Sequence, residues 1–338
     1  MLAFRFIILA PMAVLSLGFY GSRVRLLAGS QAELEPLRRD FEWFLDGEEA
    51  SAAPVELRLS AGAAPAGFPE PPSRGRYRAF DRGGERLIRY DDGAAARFDF
   101  AAGEGDIHAG SPERLHELAY LAVLSRAGEA LDRRGLHRVH ALGFRHGDGA
   151  GLLLLPSGGG KSVLALELLR RGVMGFFSDD TPLLSPGPAL RAFPLRWSFR
   201  PDADLSDVPA ERIRPFARRE HGPKRLVDLG HFRHRVAREA PLRWIVLGRP
   251  GGARAAWRPA SSAAILAALS RDLVVGAGVA QMREYMLRPR AAPALAAIAW
   301  ARARAALSAA SGSRAFELAL GPDPASAADA LSALVEKA

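Results

Sequence analysis

The stretch that most narrows what this chain can become is residues 151–172, GLLLLPSGGGKSVLALELLRRG. Residues 152–155 are a short apolar run of the buried-strand type. Residues 156–160 cannot continue a strand, residues 163–171 have helical composition, and Gly172 suits a helix C-terminal cap. Strand, glycine loop and helix in that order point to an α/β unit built around a phosphate site. Glycines let consecutive backbone N–H groups turn toward a phosphate chain, and the helix N-terminus adds partial positive charge. In such a loop Lys161 reaches the β- and γ-phosphates and the Ser162 hydroxyl ligates Mg²⁺. The expected contacts are Pro156, Ser157, Gly158, Gly159, Gly160, Lys161, Ser162 and Val163, and the implied ligands are ATP and Mg²⁺. The usual pattern is G-x-x-x-x-G-K-[ST], and here Leu155 stands where the first glycine is expected. The plainer alternative is a glycine-rich turn that precedes a helix.

The next segment, VMGFFSDD, reads as an apolar strand over residues 173–177 with Asp179 and Asp180 just past its end. A carboxylate at a strand end beside such a loop can hold Mg²⁺ or take the proton from an attacking hydroxyl. Adjacent residues of a strand face opposite ways unless the chain has turned, so the two aspartates are expected to divide these roles. Asp179 is the expected metal ligand beside Ser162. The alternative is a solvated turn.

Together these residues resemble the catalytic domain of the HPr kinase/phosphorylase family. The likeness rests on LLLLPSGGGKSVLALELLRRG followed by SDD, and on His140 upstream of the loop in HRVHALGFRHGDGAG. It covers residues 136–200 well and the C-terminal part in outline. The resemblance implies a kinase core, ATP and Mg²⁺, and an active-site role for His140. It also implies that Asp179 or Asp180 is the base that activates a serine hydroxyl. The family's Glu-Ile-Arg-Gly-type signature, which carries a second Mg²⁺ ligand, is not visible. AFPLRWSFRPDAD stands in its place, with Asp202 and Asp204 as unassigned substitutes. That departure puts reverse phosphorolysis and HPr itself as substrate in doubt. Some relatives phosphorylate serine on ribosomally made precursor peptides, lasso peptides among them. The expected function is therefore ATP-dependent phosphoryl transfer to serine on a peptide or protein. A kinase of a small hydroxylated metabolite and a nucleotide-binding regulator without turnover are the alternatives.

The fold class expected is α/β, a P-loop kinase core over residues 136–338 preceded by a small α+β domain over 21–135 with a possible docking role for substrate. In the first part, Ser30 and Glu33 form a capping-box pattern, and Leu34, Leu37, Phe41 and Phe44 share one helical face. Gly47 suits the end of that helix. VELRL, RYRAF, RLIRY and ARFDF alternate between turn residues, which argues a small antiparallel sheet. SPERLHELAYLAVLSRAGEALDRRG reads as a helix capped by Ser111 and ended by Gly135. Residues 1–20 are apolar. Residues 6–20 suggest a signal peptide or a marginal membrane segment, or else a buried strand. The run is short for a span and Pro11 interrupts it, so a cytoplasmic protein is expected, with membrane attachment as the alternative.

The formal net charge is +9, carried almost entirely by arginine. No basic block is interleaved with aromatics, so no nucleic-acid partner is expected, while a homo-oligomer stays open. The absence of cysteine excludes disulfides, zinc-thiolate sites and a cysteine nucleophile. Lys161, Lys224 and Lys337 are the three lysines. In so arginine-rich a chain, Lys224 is a candidate to approach the nucleotide or acceptor from a loop, set against chance survival. Arg200 is a candidate phosphate contact, set against a plain surface role. His231 and His234 in GHFRHR read as a solvated basic stretch rather than a metal pair.

Overall fold

The computed structural model describes residues 12–45, 55–172, 174–219, 222–286 and 288–337. Within them the chain is mixed α/β and forms two compact units, Met1–Ala127 with Met282–Met286, and Gly128–Gln281 with Leu287–Ala338.

In the first unit, β1 (Ala13–Phe19) and β2 (Ser22–Ala28) form a hairpin. Its two-residue turn, Tyr20 and Gly21, has positive φ at both positions, the geometry that matches strand twist. Thus the described part of the apolar N-terminal run is a strand with one face buried and Val14 and Ser16 exposed on the other, and residues 6–11 of it lie outside the described residues. Then follow α1 (Gln31–Asp40), β3 (Val55–Ala61), β4 (Tyr77–Arg82), β5 (Glu85–Tyr90), β6 (Ala95–Asp99), β7 (Glu104–Ala109) and α2 (Pro112–Arg133). Ser30 caps α1 by accepting the Glu33 N–H, while the Glu33 carboxylate reaches the Gly29 N–H at 3.3 Å, one residue earlier than a capping box requires. Leu34, Leu37, Phe41 and Phe44 are buried as expected, with Phe19 against Phe44 at 4.5 Å. Gly47 lies outside the described residues.

β4, β5 and β6 pair antiparallel as expected, but they belong to a seven-stranded mixed sheet in the order β1-β2-β3-β7-β6-β5-β4. Strand β3 runs parallel to both β2 and β7. The helix between β2 and β3 makes the first crossover, and β7 inserts between β3 and β6. Strand β7 was not visible in the sequence because its buried positions, Gly105, Ile107 and Ala109, alternate with Glu104, Asp106 and His108. Two small residues give little hydrophobic signal.

The second unit begins inside α2, at Gly128. Its elements are β8 (His137–Arg138), β9 (Leu142–His146), β10 (Gly149–Leu154), α3 (Lys161–Arg170), β11 (Gly175–Ser178), β12 (Leu183–Leu184) and β13 (Ala189–Arg191). After them come β14 (Trp197–Phe199), β15 (Ile213–Arg218), β16 (Gly222–Val227), β17 (Glu239–Arg249), β18 (Ala256–Pro259) and α4 (Ser262–Leu269). A π-helical turn, Ser270–Val275, extends α4. The short α5 (Arg283–Met286) belongs to the first unit, where Tyr285 packs edge-on to Phe98 at 4.6 Å and Glu284 accepts the Tyr90 hydroxyl. The chain then closes with α6 (Ala292–Gly312), β19 (Arg314–Ala319) and α7 (Pro324–Lys337).

A nine-stranded sheet runs β11-β9-β10-β17-β13-β12-β8, with β19 on β17 and β18 on β19. Among its described strand pairs, β10/β17 and β17/β19 are parallel and the rest antiparallel. Leu152, Leu154, Ile245 and Leu247 from its centre meet Ile265, Leu269, Ala305 and Ala309 of α4 and α6. Each fully buried leucine or isoleucine contributes roughly 1.5–3 kcal/mol of hydrophobic stabilisation. A separate three-stranded sheet has the order β14-β16-β15. Among the described residues, no helix is long and apolar enough to cross a membrane.

Candidate functional site

The site is built at the C-terminal end of β10. Leu154 ends the strand, and residues 155–160 turn into α3, which starts at Lys161. Gly160 is the helix N-cap with φ +94°, and Gly158 has φ +76°. A side chain is strained in that backbone region, so these two glycines are required by conformation. The Gly159 N–H closes the turn on the Pro156 carbonyl at 3.0 Å. The first N–H groups of α3 lack helical acceptors, as at every helix start, and the dipole adds to their pull on an anion. Pro156, Ser157, Gly158 and Val163 are exposed around this turn.

Leu155 has a packing explanation. It is fully buried, and a Cβ on Gly248 of β17 would stand 2.4 Å from its side chain. Leu155 therefore fills the space that Gly248 leaves open. The departure from the usual loop pattern is matched by a glycine on the neighbouring strand.

Lys161 is buried at 7% exposure. Its ammonium donates to the Leu155 carbonyl at 2.9 Å and lies 2.9 Å from His140 Nε2. Asp180 Oδ1 is 3.5 Å from Lys161 Nζ and 3.3 Å from His140 Nε2. Ser162, one residue on, donates to Asp179 Oδ2 at 3.0 Å. The sequence-expected residues Lys161, Ser162, His140, Asp179 and Asp180 thus form one cluster within the second unit.

The backbone explains how both aspartates reach it. Strand β11 ends at Ser178, whose hydroxyl accepts the Thr181 N–H at 3.0 Å and turns the chain. The Asp180 carbonyl then accepts the Ala141 N–H, and the Pro182 carbonyl accepts the Val139 N–H. His140 is pinned between these two bonds. After the turn, Asp179 and Asp180 no longer alternate as strand residues do.

Their environments differ. Asp179 is buried, and burial together with the charge of Asp180 pushes its carboxyl up to about 8, against the opposing pull of Ser162 and Lys161. The Asp180 side chain keeps 44% of its surface open. Burial acts upward on it as well, but the His140 hydrogen bond and the Lys161 charge outweigh that and hold it below the usual carboxylate range. His140 is raised: burial lowers it, and Asp180 and Asp272 more than compensate. Two neighbouring carboxyls pushed apart in this way are the arrangement found where one group holds a proton or cation and the other acts as a base.

Two candidates fall elsewhere. Lys224 sits on strand β16 in register with Phe216, not on a loop, because β16 pairs antiparallel with β15. Arg200 has 77% of its side chain exposed and pairs with Asp202 at 3.3 Å. Neither is hydrogen-bonded or ion-paired to the cluster. His231 and His234 lie in separate 3₁₀ turns. Asp272 is a neighbour of His140 that sequence reasoning missed, since a lone aspartate in SRDLVV carries no motif.

Among the described residues no group of three or more acidic or histidine side chains is arranged to hold a metal ion. Ser162 and Asp179 supply two oxygen donors, chemistry that suits a hard cation completed by other oxygens. No protein-family model matches this chain, and no curated protein matches it.

Proposed function

We propose that this protein is a kinase that transfers the γ-phosphoryl group of ATP to a serine hydroxyl on a peptide or protein. The observation that carries the reading is the convergence of Lys161 and Ser162, at the start of a helix behind a glycine turn, with Asp179, Asp180 and His140. The motif likeness to HPr kinase-related enzymes supports the same assignment, with a P-loop core as the finer fold, and keeps ribosomal precursor peptides among the acceptors.

In this reading the loop amides and the N-terminus of α3 bind the phosphate chain. Lys161 exchanges its contacts with Leu155 and His140 for phosphate oxygens. Ser162 and Asp179 would hold Mg²⁺, which neutralises phosphate charge when bound. Asp180, ionised and more open to solvent, orients the acceptor serine and receives its proton. The serine oxygen forms a bond to the γ-phosphorus as the bond to the β–γ bridging oxygen breaks, and ADP leaves. His140 holds Asp180 in place through its 3.3 Å contact.

The test is incubation of the purified protein with γ-labelled ATP, Mg²⁺ and separate panels of serine peptides and hydroxylated metabolites. Label on a peptide serine supports the proposal. Label only on a metabolite shifts the acceptor class, and nucleotide binding without transfer of label to any acceptor refutes the kinase assignment.

A further inference from the structure

The π-helical turn Ser270–Val275 brings to the cluster a carboxylate that the mechanism above does not use. Asp272 is 1% exposed. Its backbone carbonyl accepts the His140 N–H at 3.1 Å, and its Oδ1 lies 3.9 Å from His140 Nδ1. We infer that Asp272 is a positioning residue, which holds the His140 imidazole so that Nε2 faces Lys161 and Asp180. The inference rests on the phosphoryl-transfer reading.

Proton chemistry supports it. An ammonium has donors and no acceptor. Lys161 Nζ lies 2.9 Å from His140 Nε2, so Nε2 accepts from it. The neutral ring then carries its proton on Nδ1, the nitrogen that faces Asp272, and a ring protonated on both nitrogens keeps Nδ1–H there while its Nε2–H donates to Asp180 at 3.3 Å. Steric evidence agrees. A Cβ on Gly278 would stand 2.3 Å from both Nδ1 and Cε1 of His140, so only glycine lets the chain press this closely on the ring. Behind the carboxylate, Arg271 donates to both oxygens of Asp272 at 2.7 Å. Arg302 reaches the Val274 carbonyl of the same turn at 3.4 Å. Non-α turns of this kind recur where a side chain must be aimed at a site. The groups that face the imidazole are therefore Lys161 and Asp180 on one edge and Asp272 on the other.

The experiment compares the full chain with Asp272→Ala and Asp272→Asn. Nitrogen NMR of the His140 ring, in nucleotide-free protein, reads which nitrogen bears the proton. Wild type is expected to show the Nδ1–H form, Asp272→Ala a mixture, and Asp272→Asn, which keeps an acceptor, the wild-type pattern. In steady state Asp272→Ala is expected to lower kcat by about 10- to 100-fold, the usual cost of removing a partner that orients a functional imidazole. KM for ATP is expected to stay unchanged, and Asp272→Asn to restore most of kcat. A folded Asp272→Ala protein with the wild-type ring pattern and kcat overturns the inference. Wild type that transfers phosphate to no acceptor overturns the functional reading instead, and the ring pattern still decides the role of Asp272. Should Asp272→Ala not fold, Arg271→Met serves, because 53% of the Arg271 side chain is exposed. It is expected to free the carboxylate and mix the ring forms, and an unchanged pattern overturns the inference.

Discussion

Two buried charged clusters lie in the second unit, and they are built to opposite specifications. In one, Asp132 accepts from Arg302 at 3.0 and 2.5 Å and contacts His137 Nδ1 at 2.8 Å, and all three residues are under 9% exposed. Every charge there meets a matching partner. In the other, around Lys161, two carboxyls share one ammonium and one imidazole. One carboxyl is raised to about 8, the other is lowered, and the lowered one is half open to solvent. The first arrangement is closed and fastens α2, β8 and α6. The second pairs its two carboxyls unevenly beside an open helix start, and the proposed phosphoryl transfer would use that. Burial of charge alone therefore does not separate the two clusters; the evenness of their pairing and their openness to solvent do.

The strongest way to break this contrast is Lys161→Ala. It is expected to lower phosphoryl transfer by about 10³-fold or more, since loss of a single fixed donor to transition-state charge already costs about 10²–10³-fold. The thermal midpoint is expected to hold. Wild-type turnover in a folded Lys161→Ala protein would remove the kinase reading. Next, Asp180→Asn should cut turnover by about 10²–10⁴-fold, the usual contribution of a general base, with nucleotide affinity nearly unchanged. Equal losses in affinity and turnover would instead mark Asp180 as a binding group.

The closed cluster should respond in stability. Arg302→Leu leaves Asp132 buried without its guanidinium, a change that typically costs about 3–5 kcal/mol, read from denaturant midpoints. A loss under about 1 kcal/mol would mean that His137 alone satisfies the carboxylate. The same cluster sets a pH dependence. Burial pushes Asp132 up, but hydrogen bonds from His137 and Arg302 pull it down further, so its folded value lies below the ordinary one. The unfolded chain then binds the proton more readily. This stabilisation is present above the ordinary carboxylate range near 3.9 and is lost as pH falls toward the folded value. Acid titration of stability should show a drop in that window, diminished in Arg302→Leu. Equal drops in the two proteins would locate the acid sensitivity elsewhere.

How much of this could be read from sequence follows from where the signals sit. The glycine turn, Lys161, Ser162 and the aspartate pair are local, so strand, loop and helix grammar reveals them. His140 came only through a family likeness, because nothing around it in HRVHALG is periodic or charged in a telling way. Asp272 and Gly278 were invisible. They lie more than 100 residues from Lys161 in the chain, and only the fold brings them to the imidazole. Strand β7 was lost because small residues fill its core positions, and with it went the mixed order of the first sheet. Leu155 departs from the loop pattern for a reason that lies on another strand, the space beside Gly248.

The smallest effect expected separates the two internal lysines. Lys161 is enclosed by a carbonyl, an imidazole and a carboxylate. Lys224 is half-buried on β16, directly across from Phe216 of β15. Antiparallel partners share a face of the sheet, so the lysine lies on the same face as that ring, over which the Arg196 guanidinium also sits. Arginine has the same reach and charge and can lie on the same face. Lys224→Arg is therefore expected to leave kcat and KM for ATP within about twofold. It should also change stability by no more than about 0.5 kcal/mol, as surface substitutions usually do. The measurement is a pair of steady-state curves, at limiting and at saturating ATP. A loss of kcat at saturating ATP would mean that β16 reaches the acceptor, and that a compact ammonium is needed there where a planar guanidinium cannot serve.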